Sequence, residues 1–298
     1  MKLTKEDTDL FYKLNWSLLF YVNQKYNVIT GLKEPNLRKE DIQKVFKLHE
    51  KLHLNPSLID SFIIENPFKF NVEELETIKG WKKAVKSKFL VMKHSEQGAI
   101  FFDESKDSRA YAVLGLLDDL EELIPKECLP VMLETTLLPF NGKIIYNGLF
   151  IPYNIHFGRS IRESMEISFR EAKSKYGIIT SFDEPILEKS DADIELMKTY
   201  ARNRDTCFNF DQEINQLLKK DPSLWKVYYQ SLGKSDVRKI SKRFTELGVN
   251  SAYFAIFDDV IIASGKSEKE LNEMVANVLP LEKREYVYVF KYRGKKDE

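Results

Sequence analysis

Two Asn-Gly pairs, Asn141-Gly142 and Asn147-Gly148, sit between apolar runs in the middle of this 298-residue chain. A two-residue hairpin turn of type I′ needs positive φ at both central residues, and Asn-Gly takes up that backbone with little strain. The runs 129–140, 143–146 and 149–155 therefore read as antiparallel strands joined by tight turns. Upstream, the runs 88–93 and 99–103 flank a Glu96-Gln97-Gly98 turn, and 110–116 is one more apolar run. This pattern predicts a meander of five or six antiparallel strands, open or curled into a small barrel.

Helical periodicity surrounds the strands. Apolar residues recur at three- and four-residue spacing over 17–21, 41–53, 56–64 and 72–86, punctuated by Pro35, Pro56 and Pro67. We expect a helical N-terminal region over 1–86. The meander, with a helix opened by Gly158-Arg159-Ser160 and running to about Tyr176, covers 87–180. Ser160 and Glu163 have the spacing of a capping box. A polar stretch and helices at 191–203, 211–220, 222–232 and 235–247 form a helical bridge over 181–250. The last segment, 251–298, reads β-β-α-β: strands at 252–257 and 260–263, a helix over 267–278 capped by Ser267 and Glu270, and a strand over 285–292. The fold class is α+β.

Composition narrows the function. Lysine and arginine number 46, as do aspartate and glutamate, so the formal net charge is zero. A chain whose main partner is a phosphate backbone carries a basic excess, so any RNA contact is expected to be local. Two cysteines, Cys128 and Cys207, build no disulfide framework and fit a reducing compartment. The first residues carry acids and no apolar core, and the apolar runs are strand-sized, so neither a secretory signal nor a membrane span is expected. A soluble cytoplasmic protein is the expectation.

The segment LPVMLETTLLPFNGKIIYNGLFIPYNIHF (129–157), with the helix that follows it to 182, resembles the middle of an uncharacterised prokaryotic protein family. Members of that family sometimes end in a SEC-C zinc-binding tail. The stretch 227–292, which begins VYYQSLGKSDVRKISKRF, is similar to the C-terminal part of the same family and to a small ββαβ domain of unknown function. The resemblance spans most of the chain. Its motifs are turns and caps, so it implies a fold and no activity. This sequence contains no cysteine-rich tail, so no zinc knuckle is implied.

One pattern carries chemistry. His49-Glu50-Lys51-Leu52-His53 matches His-Glu-x-x-His, which on a helix puts two histidines on one face to bind zinc, with Glu50 as the base that activates a metal-bound water. A third ligand is needed, and Glu73, Glu74 and Glu76 lie at the spacing a glutamate ligand would have. Lys51 is an unusual occupant for a buried zinc helix, and Asn55-Pro56 ends the helix at once. The alternative is structural: Ile42, Val45, Phe46, His49, Leu52 and His53 make one partly buried stripe.

Other candidates point to surfaces. Arg159, Ser160 and Arg162 at a helix start can bind an anion. Gly233-Lys234-Ser235 and Gly265-Lys266-Ser267 lack the first glycine of a phosphate loop and read as helix caps. Tyr286, Tyr288, Phe290 and Tyr292 alternate on the final strand and offer an aromatic face for a protein or for RNA bases. Lys234, Arg238, Lys239, Lys242 and Arg243 make a basic helix face with Asp236 as the nearby acid. Asp118, Asp119, Glu121 and Glu122 read as a solvated turn, and Cys128 with His156 as a remote nucleophile pair. The leading expectation is a non-enzymatic interaction or regulatory protein without a cofactor, holding another protein, a second copy of itself or RNA through the aromatic strand or the basic helix. The competing expectation is a zinc-dependent hydrolase.

Overall fold

Side-chain caps set most helix starts in the N-terminal half. Thr4 caps α1 (Lys5–Tyr26) by accepting from the N–H of Asp7, and Asp41 caps α2 (Ile42–Leu54) by accepting from that of Gln43. The third helix, α3 (Ser57–Glu65), follows directly on Pro56. Asn71 and Glu74 form a reciprocal capping box on α4 (Val72–Gly80). The computed structural model describes residues 1–103, 105, 108–183 and 191–294, and divides into two units, Met1–Leu187 and Glu188–Glu298. The fold is α+β.

In the first unit, β1 (Val85–Ser95) turns into β2 (Gly98–Asp103), which pairs in turn with β3 (Arg109–Leu114). A connection containing the short helix α5 (Leu120–Leu123) leads to β4 (Val131–Phe140), which lies beside β1. The turn Asn141-Gly142, with φ of 49° and 70°, then joins β4 to β5 (Lys143–Pro152), as the dipeptide predicts. Two parallel pairs, Val113 with Ile144 and Leu114 with Ile145, close the ring β1-β2-β3-β5-β4. The small barrel expected from the sequence is present. The departure from a simple meander lies at β3, whose pairing with β5 is parallel because the 115–130 connection first carries the chain across to β1. The strand order is that of a Greek-key barrel of the OB type.

The second Asn-Gly pair is not a turn. Leu137 faces Tyr146 while Thr135 faces Phe150, so Asn147 and Gly148 are extra residues of β5, bulged out opposite β4. Gly148 takes a φ of 89°, which a bulge requires as readily as a turn does.

Alternate side chains of the strands serve two packing faces. Phe89, Phe101, Val113, Leu133 and Leu137 share one core with Phe11, Leu14 and Leu18 of α1, Phe62 of α3 and Trp81 after α4. The Trp81 indole N–H donates to the carbonyl of Pro139 at 3.1 Å. The helical region and the strands, successive in sequence, are thus one packed body. Leu90, Ile100, Phe102 and Ala112 point the other way, under Met165, Phe169 and Ala172 of α6 (Arg159–Tyr176). Strand β2 is buried on both faces, which is why it reads as an unbroken apolar run. The start of α6 departs from expectation: Gly158 is the cap, with no side-chain cap bond, and Glu163 pairs with Arg159 instead of completing a box with Ser160. A two-residue strand, β6 (Ile178–Ile179), adds in parallel to β3.

The second unit opens with α7 (Ala192–Tyr200), α8 (Arg204–Asn209) and α9 (Asp211–Lys220), followed by α10 (Leu224–Leu247). A three-stranded antiparallel sheet follows, ordered β8-β7-β9, from β7 (Ala252–Phe257), β8 (Val260–Gly265) and β9 (Tyr288–Tyr292). Between β8 and β9 lie α11 (Glu268–Val278), capped by Ser267, and α12 (Leu281–Arg284). Leu271 and Val275 of α11 cover one sheet face, and Val237, Ile240 and Phe244 of α10 cover the other. The final strand is shorter than the expected 285–292. Among the described residues no helix is long and apolar enough to cross a membrane.

The two helices expected over 222–232 and 235–247 are one, and Ser235 caps nothing. Gly233 is internal to α10, where glycine costs about 1 kcal/mol against alanine. Packing explains it: a Cβ on Gly233 would lie 2.4 Å from the Cβ of Tyr288. Gly233→Ala should therefore destabilise the second unit by about 1–3 kcal/mol in denaturant titration, opposite in sign to the helix-propensity gain.

Candidate functional site

The His-Glu-x-x-His helix forms as expected, and its histidines share a cavity. His49 and His53 on α2 line a space of about 120 Å³ together with Asn15 of α1, Thr136 of β4 and Asn147 of β5. Glu50 does not join them. It is exposed and faces Lys86 of β1, whose ammonium lies 3.9 Å from Glu50 and 3.5 Å from Glu134, and stands over the Phe46 ring. The expected third ligands do not reach the cavity: Glu74 is held in its capping box and by Lys13, Glu76 by Lys79 at 2.9 Å, and Glu73 is exposed and does not line this space. Among the described residues no three His, Cys, Asp or Glu side chains are grouped to hold a metal.

Three uncharged groups converge at this cavity, and the Glu50, Lys86 and Glu134 charges line a further small space beside His49 and Asn147. Asn15 is 3% exposed, in the middle of α1, and its carboxamide has no hydrogen-bond partner among the described residues. His49 likewise makes no hydrogen bond there. Its imidazole is pushed down to about 4, first by burial and then by the nearby charge of Lys86. It is therefore neutral at ordinary pH, with one ring nitrogen a donor and the other an acceptor. Asn147 is placed by the β5 bulge. Its Oδ1 accepts from the N–H of Leu149 at 3.2 Å, while its NH2 has no acceptor among the described residues. Two other asparagines of this unit have both ends of the amide bonded. The Asn23 amide donates to and accepts from Ile29 at 2.9 and 2.7 Å, and Asn66 does the same with Phe70 at 2.9 and 2.8 Å.

A second space of about 620 Å³ meets the first at the same three side chains, Asn15, His49 and Asn147. Its walls include Tyr12 and Trp16 of α1, with rings 4.9 Å apart, Val45 of α2, Leu117 and Leu149. Burial, reinforced by the Asp118 carboxylate, raises the Tyr12 hydroxyl above its usual value. The mouth carries Asp9 and Glu40 beside Lys13 and Arg38. The result is an apolar, aromatic-walled cleft whose inner end holds three uncharged polar groups, in the size range of small-molecule sites.

The remaining candidates stay apart from this cleft. Arg159 is largely solvated and paired with Glu163, Ser160 is exposed, and the Arg162 Nε donates to the carbonyl of Phe157 at 3.0 Å. The aromatic face expected on the last strand is mostly used up: Phe290 and Tyr292 are buried under α10, and Tyr286 and Tyr288 are half-buried, with Tyr286 5.6 Å from Tyr229. The basic side chains Lys234, Arg238, Lys239, Lys242 and Arg243 are exposed, while Asp236 is buried and held by Arg204 at 3.2 Å. Asp119 caps α5 and binds the N-terminal amine, which holds its carboxyl below the usual range. Cys128 and His156 are both exposed, and neither lines the cleft. The residues that sequence reasoning passed over are Asn15, Tyr12, Trp16 and Asn147. Asn15 has a signal: it is an amide within the apolar stretch 14–20 of α1, a helix with buried residues on every side.

His49 has a consequence for pH dependence. Below about 6.5 the unfolded chain takes up a proton that the folded chain refuses until about pH 4, so its contribution is complete above pH 6.5 and is lost as pH falls. Wild-type stability minus that of His49→Gln should be flat above pH 6.5 and fall by up to about 3 kcal/mol on approach to pH 4, read from urea unfolding at each pH. Parallel curves would show that His49 does not titrate this way. Comparison with known proteins adds no name: no protein-family model matches the chain, and neither a curated protein nor a solved structure is significantly similar to it.

Proposed function

We propose that this chain is a non-catalytic binding protein whose ligand is a small uncharged molecule seated against Asn15, His49 and Asn147. The observation that supports the reading is that the Asn15 amide, the His49 imidazole and the NH2 of Asn147 have no protein partner among the described residues and line one cleft. Polar groups that line a cavity and have no protein partner are free to bond a molecule seated there, which is how small-molecule sites fix their ligands. Catalysis draws little support there. A neutral imidazole with so low a pKa is a poor base, and the Glu50 carboxylate faces Lys86. The outer face of β2 and β3, a ligand platform in OB-type barrels, lies beneath α6, so fold analogy does not locate the ligand.

The zinc-hydrolase reading keeps one favourable observation, that His49 and His53 line the same space. It needs Glu50 released from Lys86 and a third ligand. Zinc titrated into metal-free protein should leave the His49 and His53 ring signals unshifted at one equivalent. Coupled, saturable shifts of both would favour the metal over our reading. A partner surface remains on the basic face of α10, where five exposed cations make no ion pair among the described residues. An acidic protein, a second copy or RNA would meet it there, with affinity that falls as salt rises.

The binding reading is tested by screening a set of uncharged amide and heterocyclic fragments by ligand-observed NMR. Hits should compete with one another and be lost in Asn15→Leu. Hits unaffected by that change, or consumed on incubation with the protein, would contradict the reading.

A further inference from the structure

The inner end of the cleft presents two carboxamides and a neutral imidazole, which differ from charged groups in what they select. The Asn15 carboxamide holds a donor and an acceptor in one plane, the arrangement that matches the edge of a purine such as adenine, while Asn147, whose Oδ1 accepts from Leu149 and Thr135, adds its NH2 as a donor. The imidazole adds one donor and one acceptor and no charge while it stays unprotonated. The walls suit a flat ring. Tyr12 and Trp16 supply aromatic surface from α1, and Val45 and Leu149 supply apolar surface from α2 and β5. A base is read in this way elsewhere, by stacking on its faces and hydrogen bonds along its edge.

The mouth argues against a phosphate. Its cations Lys13 and Arg38 are matched by Asp9 and Glu40, and Lys13 is already paired with Glu74. The helix start at this mouth is that of α2, where the Asp41 side chain already accepts from the N–H of Gln43. The charges therefore balance where a phosphate would need an excess of donors. An uncharged sugar has the right polarity, but it carries hydroxyls around its whole rim, whereas Tyr12, Trp16, Val45 and Leu149 line the walls between the polar inner end and the charged mouth.

We propose that the cleft binds an uncharged purine-type nucleobase or its nucleoside, edge-on to Asn15, His49 and Asn147, with the ring against Tyr12 and Trp16. This rests on the binding reading above and names its ligand class. The molecule need not change on binding, and no covalent step is involved.

The test is calorimetry on the full chain with adenine, adenosine, adenosine monophosphate and, as non-heterocyclic probes, glucose and benzamide. Adenine or adenosine should bind with a Kd below about 1 mM, the weakest affinity the titration resolves. The monophosphate should bind within about threefold of the nucleoside, because the mouth adds nothing for the phosphate. Asn15→Leu and His49→Phe should each weaken adenosine binding at least about tenfold, roughly the loss of one hydrogen bond to a buried group. Both replaced groups make no hydrogen bond in the structure, so both variants should fold, which circular dichroism checks. Saturable binding of glucose or benzamide without adenine or adenosine would overturn the ligand class and leave the binding reading standing. Adenosine binding that both folded variants retain would overturn the proposed site. No binding by any probe would overturn both readings.

Discussion

Closure of the barrel rests on two residue pairs, Val113 with Ile144 and Leu114 with Ile145. A ring of five strands is narrow, and the strands must bend strongly to meet. Strand β5 has to pair with β3 near its start and stay on β4 to its end. It does both by inserting Asn147 and Gly148, after which residues 150–152 pair with β4 again in a register shifted by two. The bulge is thus the point at which the geometry of the ring becomes the geometry of the cleft. It points Asn147 at the helices that pack over the barrel, as bulges beside functional sites commonly re-aim a side chain.

The helices are held in the same way by the barrel. Phe11, Leu14 and Leu18 of α1 enter the core that the strands share, so the adjoining side of α1, with Tyr12, Asn15 and Trp16, has a fixed place. Asn15 then sits where the rest of the residue is buried but its amide opens on the cavity without a protein partner. Asn23, two turns along the same helix, shows the ordinary solution, with both ends of its amide bonded to Ile29. That contrast within one helix is what separates a structural asparagine from one facing a cavity.

Local signals in the sequence were legible where short-range chemistry decides. The Asn141-Gly142 hairpin, the Ser267 cap and the α+β order are all written within four or five residues. The errors come where distant residues decide. Asn147-Gly148 suits a bulge as well as a turn, and only the register against β4 separates the two. Gly233 looks like a helix break until Tyr288, far along the chain, is seen to need the space. Tyr286 to Tyr292 read as an aromatic face with room for a partner because nothing local says that α10 lies over it. Of the His-Glu-x-x-His pattern, the shared face of the histidines was legible, while the hold of Lys86 on Glu50 comes from another strand. The polar end of the cleft draws one residue each from α1, α2 and β5, and no single stretch of sequence announces it.

The account stands or falls on whether the unpaired amides of the cleft meet a ligand. Selective nitrogen-15 labelling of asparagine gives separate side-chain NH2 signals for Asn15, Asn23 and Asn147. On saturation with adenosine the Asn15 and Asn147 signals should move and exchange more slowly with water, while that of Asn23, already bonded to Ile29, stays in place. Unmoved Asn15 and Asn147 signals under saturating ligand would contradict the account.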